Sequence, residues 1–256
     1  MIDFLKTDKS KYVLIVVCLI ISIALSILYF MTSLAYKKET TLNYNLKKLW
    51  TDQLLINNSY ENLTKSYASK RWKDVLRYRD EYLGYFEKAK LVEAANPNLY
   101  LHSAYAFYSC YKTEKDATLL ENARKDIDSY PNTNNGRAIF IKGLINLESA
   151  NLQTNYEDFA EQVKEAAVFF ETAQKNIYFS DIKPSSSEIQ NIAYHRALAF
   201  FRIGEYQEKI QKNDEAIRSY ENCLKIIAEN RLSIEKAIKL QSDVKMILNR
   251  IKKIKK

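Results

Sequence analysis

The chain has 256 residues, 47% of them hydrophobic and 27% charged, with only 4 Gly and 3 Pro where average usage would give about 18 and 13. So few turn residues exclude a sheet-rich fold and point to an all-α chain, while three cysteines exclude a disulfide framework. The net charge of +8 gathers at the C-terminal end, where Lys245, Arg250, Lys252, Lys253, Lys255 and Lys256 occur with no acid among them. The remaining body is nearly neutral and lacks the basic stripe that nucleic-acid binding requires, so no nucleic-acid partner is expected.

After a short polar tail (1–11), residues 12–36 run YVLIVVCLIISIALSILYFMTSLAY without a charge. At 1.5 Å per residue this stretch spans roughly 37 Å, enough to cross a bilayer with some tilt. Tyr12, Tyr29, Phe30 and Tyr36 suit the interfacial aromatic belts. Ser33-Leu34-Ala35 loosely resembles a signal-peptide cleavage site. The apolar run is longer than the roughly 7–15 residues of a signal core, however, and the reading is an uncleaved single-pass anchor in a cytoplasmic (inner) membrane. Lysines flank both sides, Lys6, Lys9 and Lys11 before it and Lys37, Lys38, Lys47 and Lys48 after it. The expected orientation is a cytoplasmic tail with the body periplasmic or otherwise extracytoplasmic. Cys18, Ser22 and Ser26 repeat every four residues, which leaves a homo-oligomer open.

From Lys37 to about residue 60 the apolar positions Leu42, Leu46, Leu49, Trp50 and Leu54 predict a helical stalk. A second helical zone over 61–95, bent near Ser66 to Ser69, carries Tyr78, Tyr82, Tyr85 and Phe86 on one face. Pro97 and Pro131 bracket two helices, about Leu99 to Lys112 and Glu114 to Ser129, the second capped by Thr113. Asn132 to Gly136 is a loop. Arg137 to Leu147 forms a first helix with Gly143 at a crossing point, and Ala166, Phe170 and Ala173 belong to its partner, with an insertion of about 11 residues expected near 149–160. Pro184 to Ser187 ends this unit. Ser185 with Glu188, or Ser187 with Gln190, makes a capping box for the next helix.

Residues 193–228 read as two antiparallel helices joined by an elbow at Gln211 to Asp214. Ala193, Ala197, Phe200, Phe201 and Gly204 recur at helical spacing on the first, and Ala216, Ile217, Tyr220, Cys223, Leu224 and Ile227 on the second, with Asn213 as N-cap. Ser233 starts a last helix carrying Ile234, Ile238, Val244, Ile247, Leu248, Ile251 and Ile254 on one side. Phe200, Ile203 and Gly204, followed by Ala216, Tyr220 and Cys223, resemble a tetratricopeptide (TPR) repeat, although Gln207 stands where that motif has Tyr and no Pro follows Ala228. In this frame the 136–173 unit is a second repeat, the 97–131 unit a degenerate one, and 233–256 a capping helix over a solenoid spanning 61–232.

The resemblance implies a concave wall, made by the first helices, that binds a partner segment. By position its residues are Arg137, Phe140, Leu144 and Leu147 in one unit and Leu198, Phe201, Glu205, Glu208 and Lys209 in the other. The paired Lys and Asn with which chaperone-tail-binding TPR domains clamp a carboxylate are missing from both sets. No HExxH, CxxC, Gly-rich phosphate loop or GxSxG motif occurs, and His102 and His195 stand without a second ligand at usable spacing. The expectation is therefore no enzyme, no catalytic or metal-ligating residues and no cofactor. The resemblance points instead to a membrane-anchored scaffold or adaptor of an envelope assembly, such as a bacterial secretion machine or a periplasmic flagellar-motor collar, with an accessory translocation chaperone as the alternative.

Overall fold

The computed structural model describes residues 8–89, 95–179 and 183–254. Residues 1–7, residues 90–94 in the 61–95 zone, residues 180–182 and Lys255–Lys256 lie outside the described residues, as do the side chains of Tyr12, Leu14, Leu46, Leu49 and Ile254. All regular structure among the described residues is helical. Helix α1 spans Asp8–Ala68, α2 Trp72–Ala89, α3 Asn98–Glu114, α4 Ala117–Ser129, α5 Gly136–Ala150, α6 Tyr156–Asn176, α7 Ser186–Lys209, α8 Asn213–Glu229 and α9 Glu235–Ile254, with a 3₁₀ turn at Ile177–Phe179.

The chain divides into two compact units, Met1–Asn58 and Ser59–Lys256. In the first, α1 holds the one segment among the described residues that is long and apolar enough to cross a membrane. Its described large side chains from Val13 to Tyr36 are exposed. The Thr32 hydroxyl donates to the Tyr29 carbonyl at 2.9 Å, so this polar side chain is satisfied within the helix.

The second unit is a stack of helical hairpins. Helices pack in pairs as α3 with α4, α5 with α6 and α7 with α8, and each second helix then packs on the next first helix. First helices also touch one another, α3 with α5, α5 with α7 and α7 with α9, whereas α4, α6 and α8 make no comparable contact among themselves. First helices thus line the inner side of the stack, as in a helical-repeat solenoid. Helix α9 covers its end, burying Ala237, Leu240, Val244, Leu248 and Ile251 against Tyr220, Cys223 and Ile227.

Each of the two regular hairpins closes through a glycine facing a ring. A methyl group on Gly204 would lie 2.7 Å from Cε1 of the fully buried Tyr220, and one on Gly143 would lie 2.6 Å from Cε1 of the fully buried Phe170. The expected insertion is not a separate loop. α5 runs on to Ala150 and α6 begins at Tyr156, well before Ala166, so the extra length is mostly helix, and only residues 151–155 join the two. A buried ion pair ties the first hairpins together. Arg79 on α2 donates to Asp126 on α4 at 2.8 and 2.5 Å, and Ser103 on α3 donates to the same carboxylate.

Helix starts differ from the sequence reading in detail. Asp116, not Thr113, caps α4, because its carboxylate accepts from the Thr118 N–H. Asn213 is the first residue of α8, and Lys212 before it makes no side-chain cap. The Ser185–Glu188 capping box forms as expected, α9 begins at Glu235 rather than Ser233, and Ile238 points outward. Helix ends at Ala68, Lys209 and Glu229 are closed by left-handed residues that are not glycine, Lys70, Gln211 and Arg231. The following N–H groups of Arg71, Lys212 and Leu232 reach back to the carbonyls of Ser66, Gln207 and Ile227, as in Schellman ends. Cys110 and Cys223 are buried free thiols in separate hairpins.

If the glycine–ring contact sets the helix spacing, Gly204→Ala should cost about 1–3 kcal/mol. Adding Tyr220→Leu should then cost less than it does in the parent chain, because the smaller side chain relieves the clash. Thermal melts of the two single variants and the double variant test this, and strictly additive losses would refute it.

Candidate functional site

The most apolar hollow in the hairpin stack lies on its inner side. It has a volume of about 390 Å³ and is lined by Tyr67, Ala68, Lys70, Trp72, Tyr105, Arg137, Phe140, Ile141, Ile177, Glu188, Asn191 and Ile192. These residues come from the end of α1 with the turn into α2, the first half of α3, the start of α5 and the start of α7, with Ile177 added by the 3₁₀ turn after α6. Each contribution follows from local structure. The left-handed turn at Lys70 brings Trp72 back beside Tyr67, their ring centroids 5.7 Å apart. Asn135 caps α5 and the Ser185 box fixes the first turn of α7, so the N-terminal turns of both helices reach the hollow.

One wall is aromatic. Tyr67 stacks on His102 with centroids 4.4 Å apart, and Trp72 meets Tyr105 edge-on at 5.4 Å. The opposite wall carries a charge pair, with Arg137 Nε donating to Glu188 Oε1 at 2.9 Å. Glu188 also accepts from the Ser185 N–H at 2.9 Å, so a single carboxylate caps α7 and links it to α5.

Electrostatics follow from this enclosure. The hydrogen bond from Arg137 leads the effects that hold the Glu188 carboxyl below the usual glutamate range. Burial pushes the Tyr67 phenol up to about 12, and burial followed by the nearby Arg137 charge pushes His102 down to about 4. Packed against Phe140, Phe170 and Tyr194, His195 is also lowered to about 4 by burial. The hollow therefore presents aromatic rings, phenol donors, the Lys70 ammonium and the Arg137–Glu188 ion pair. It is equipped to hold an apolar or aromatic group with a polar edge. Among the described residues, no group of three His, Cys, Asp or Glu side chains could hold a metal ion.

The structure separates the residues that the repeat frame groups on the concave wall. Arg137 and Phe140 line the hollow. Leu144 and Leu147 do not face a partner, because α5 is packed on several sides and both lie in the core at 2% and 5% exposure. Leu198 is half-buried between the two main clusters, and Phe201 packs on Tyr220 at 5.8 Å. Glu208 accepts from the Tyr220 hydroxyl and from Arg250, which binds it to α8 and α9. Glu205 and Lys209 border a second, more polar hollow of about 280 Å³ near Tyr156, where Glu205 pairs with Arg202 at 2.8 Å.

Sequence reasoning assigned no site to Tyr67, Trp72, Glu188 or Asn191. A signal for part of this set was present: Tyr67, His102 and Arg137 are equally spaced in the chain, as are Lys70, Tyr105 and Phe140. Residues one repeat length apart occupy equivalent places on successive first helices, which is why both triplets meet at one level of the wall.

No family model matches this sequence, and no curated protein matches it. Among solved structures, the de novo designed helical repeat protein DHR64 aligns over 82% of this chain and 98% of its own, at 17% identity and a TM-score of 0.29. The DHF58 filament aligns over 81% and 97%, at 16% identity and a TM-score of 0.25. At these values the description of the fold rests on the chain's own contacts.

The enclosure predicts an acid sensitivity with a definite sign. Both histidines have folded pKa values near 4 against about 6.5 unfolded. Between those limits the unfolded chain takes up protons that the folded chain refuses, so stability falls as pH drops from 6.5 towards 4, by about 3 kcal/mol per histidine at the lower end. The contribution of Glu188, whose folded pKa is depressed, is present above the usual glutamate range and is lost below it. Denaturant unfolding at stepped pH should show this slope, and His102→Phe, which keeps a stacking ring, should flatten it by about half.

Proposed function

We propose that this chain is a membrane-anchored scaffold of the TPR kind, whose inner wall seats a segment of another protein and thereby helps assemble a larger envelope complex. The observation that carries this reading is the aromatic hollow of about 390 Å³ to which the end of α1, α3, α5 and α7 all contribute. Its volume lies within the range of ligand-binding pockets. Its composition, tyrosine and tryptophan with one arginine, is that of protein interaction hot spots. The TPR assignment is supported by the Gly204–Tyr220 and Gly143–Phe170 closures, in which the motif's small position faces its large one. Anchoring is supported by the uncharged, fully exposed apolar run within α1, which would be costly to leave in water. The proposed site is an inner membrane, with the hairpin stack on its extracytoplasmic side.

The adaptor reading is tested by crosslinking in cells, solubilising in detergent and identifying what co-purifies. One stoichiometric partner is expected. Asn191→Trp, which puts a bulky ring into the hollow from an already helical position, should reduce its recovery at least tenfold. A monomer without a partner, or a partner unaffected by Asn191→Trp, would overturn the assignment of the hollow, while many substoichiometric clients would point to a translocation chaperone. Topology has its own test. Thr133 lies in the exposed loop before α5, whereas neighbouring Asn135 is that helix's cap and should be left intact. Thr133→Cys is expected to react with a membrane-impermeant thiol reagent added to cells with a permeabilised outer layer and an intact inner membrane. Protection until the inner membrane is opened would reverse the orientation.

A further inference from the structure

We infer that the outer face of α9 is a docking surface for an anionic phospholipid bilayer. Helix α9 buries Ala237, Leu240, Val244, Leu248 and Ile251 and turns its other side outward. That outward side carries Lys236, Lys239, Lys245 and Lys253, all exposed, and none of them forms a salt bridge among the described residues. Arg250 and Lys252 are already engaged, with Glu208 and Glu221. The only acids on the helix are Glu235 at its start and the half-buried Asp243.

Other outward faces of the stack are not like this. On α6, Lys175 answers Glu171, and on α8, Lys225 answers Glu229, the ordinary alternation of a solvated helix. A capping helix needs only a polar outer surface. The α9 face instead carries an excess of cations, with Glu235 at its start as the one exposed acid, and it sets two large apolar side chains between the lysines, Ile238 at 56% and Met246 at 62% exposure. Cations spaced along a helix around exposed apolar groups match the two components of a lipid surface: headgroup phosphates for the lysines and the acyl boundary for Ile238 and Met246. An acidic protein or a nucleic acid would satisfy the charges but leave those apolar groups without a role. The inference does not depend on the occupant of the inner hollow.

The test uses the full chain in nanodiscs of zwitterionic lipid, mixed with separate vesicles of phosphatidylcholine alone or with phosphatidylglycerol. Co-flotation with the anionic vesicles only is expected, and it should be lost in high salt. Replacing Lys236, Lys239, Lys245 and Lys253 together by Gln should weaken it by about a thousandfold. Ile238→Ser with Met246→Ser should weaken it by at least tenfold at unchanged charge, an effect that purely electrostatic adsorption would not produce. Equal flotation with both vesicle types would overturn the inference. So would retained flotation after the lysine replacements, or a preference for a short DNA duplex or polyglutamate over the anionic vesicles.

Discussion

The hairpin stack depends on how closely paired helices approach, and that distance is set where a ring lies over a missing side chain. Phe170 occupies the space above Gly143 and Tyr220 the space above Gly204. Both rings are fully buried, so the contact fixes helix spacing and at the same time fills the volume that a wider separation would have left to water. With the paired helices held this closely, each second helix can lie against the next first helix, and the first helices come into contact along one side. The inner wall, and with it the aromatic hollow, follows from that spacing.

Electrostatics then tie successive hairpins together. Arg79 and Asp126 join α2 to α4, Lys112 and Glu148 join α3 to α5, Arg137 and Glu188 join α5 to α7, and Arg250 and Glu208 join α9 to α7. In the buried pair the carboxylate accepts from Ser103 as well, so its lone pairs are used and its desolvation is offset. The Arg137–Glu188 pair also lies at the rim of the hollow. It therefore belongs both to the stacking of hairpins and to the polar edge that a bound segment would meet.

How much of this was legible varies with the physics. The two glycine–ring closures could be read from the sequence, because a close crossing needs a small residue opposite a large one and few residue types satisfy that. The inner wall was harder to read. The repeat frame sets the inner-wall residues of the last hairpin from Leu198 onward, whereas Glu188 and Asn191 in the first turns of α7 face the hollow. Leu144 and Leu147 were misplaced because α5 is packed around most of its circumference, and helical periodicity cannot tell an inner face from a core face in that situation. Caps were displaced by a residue or more wherever a short polar run offered several oxygens, as at Thr113 and Asp116.

The helix ends carry a further consequence. Lys70, Gln211 and Arg231 adopt the left-handed conformation that glycine adopts without strain, and each holds its turn at a cost of about 1 kcal/mol. In a linear array, stability is close to a sum of unit and interface terms, and because Lys70, Gln211 and likewise Lys115 lie inside hairpins, this strain lowers the stability of single units rather than the coupling between them. With each hairpin weakened on its own and held by its neighbours, the stack is inclined to lose several hairpins together rather than to fray one at a time.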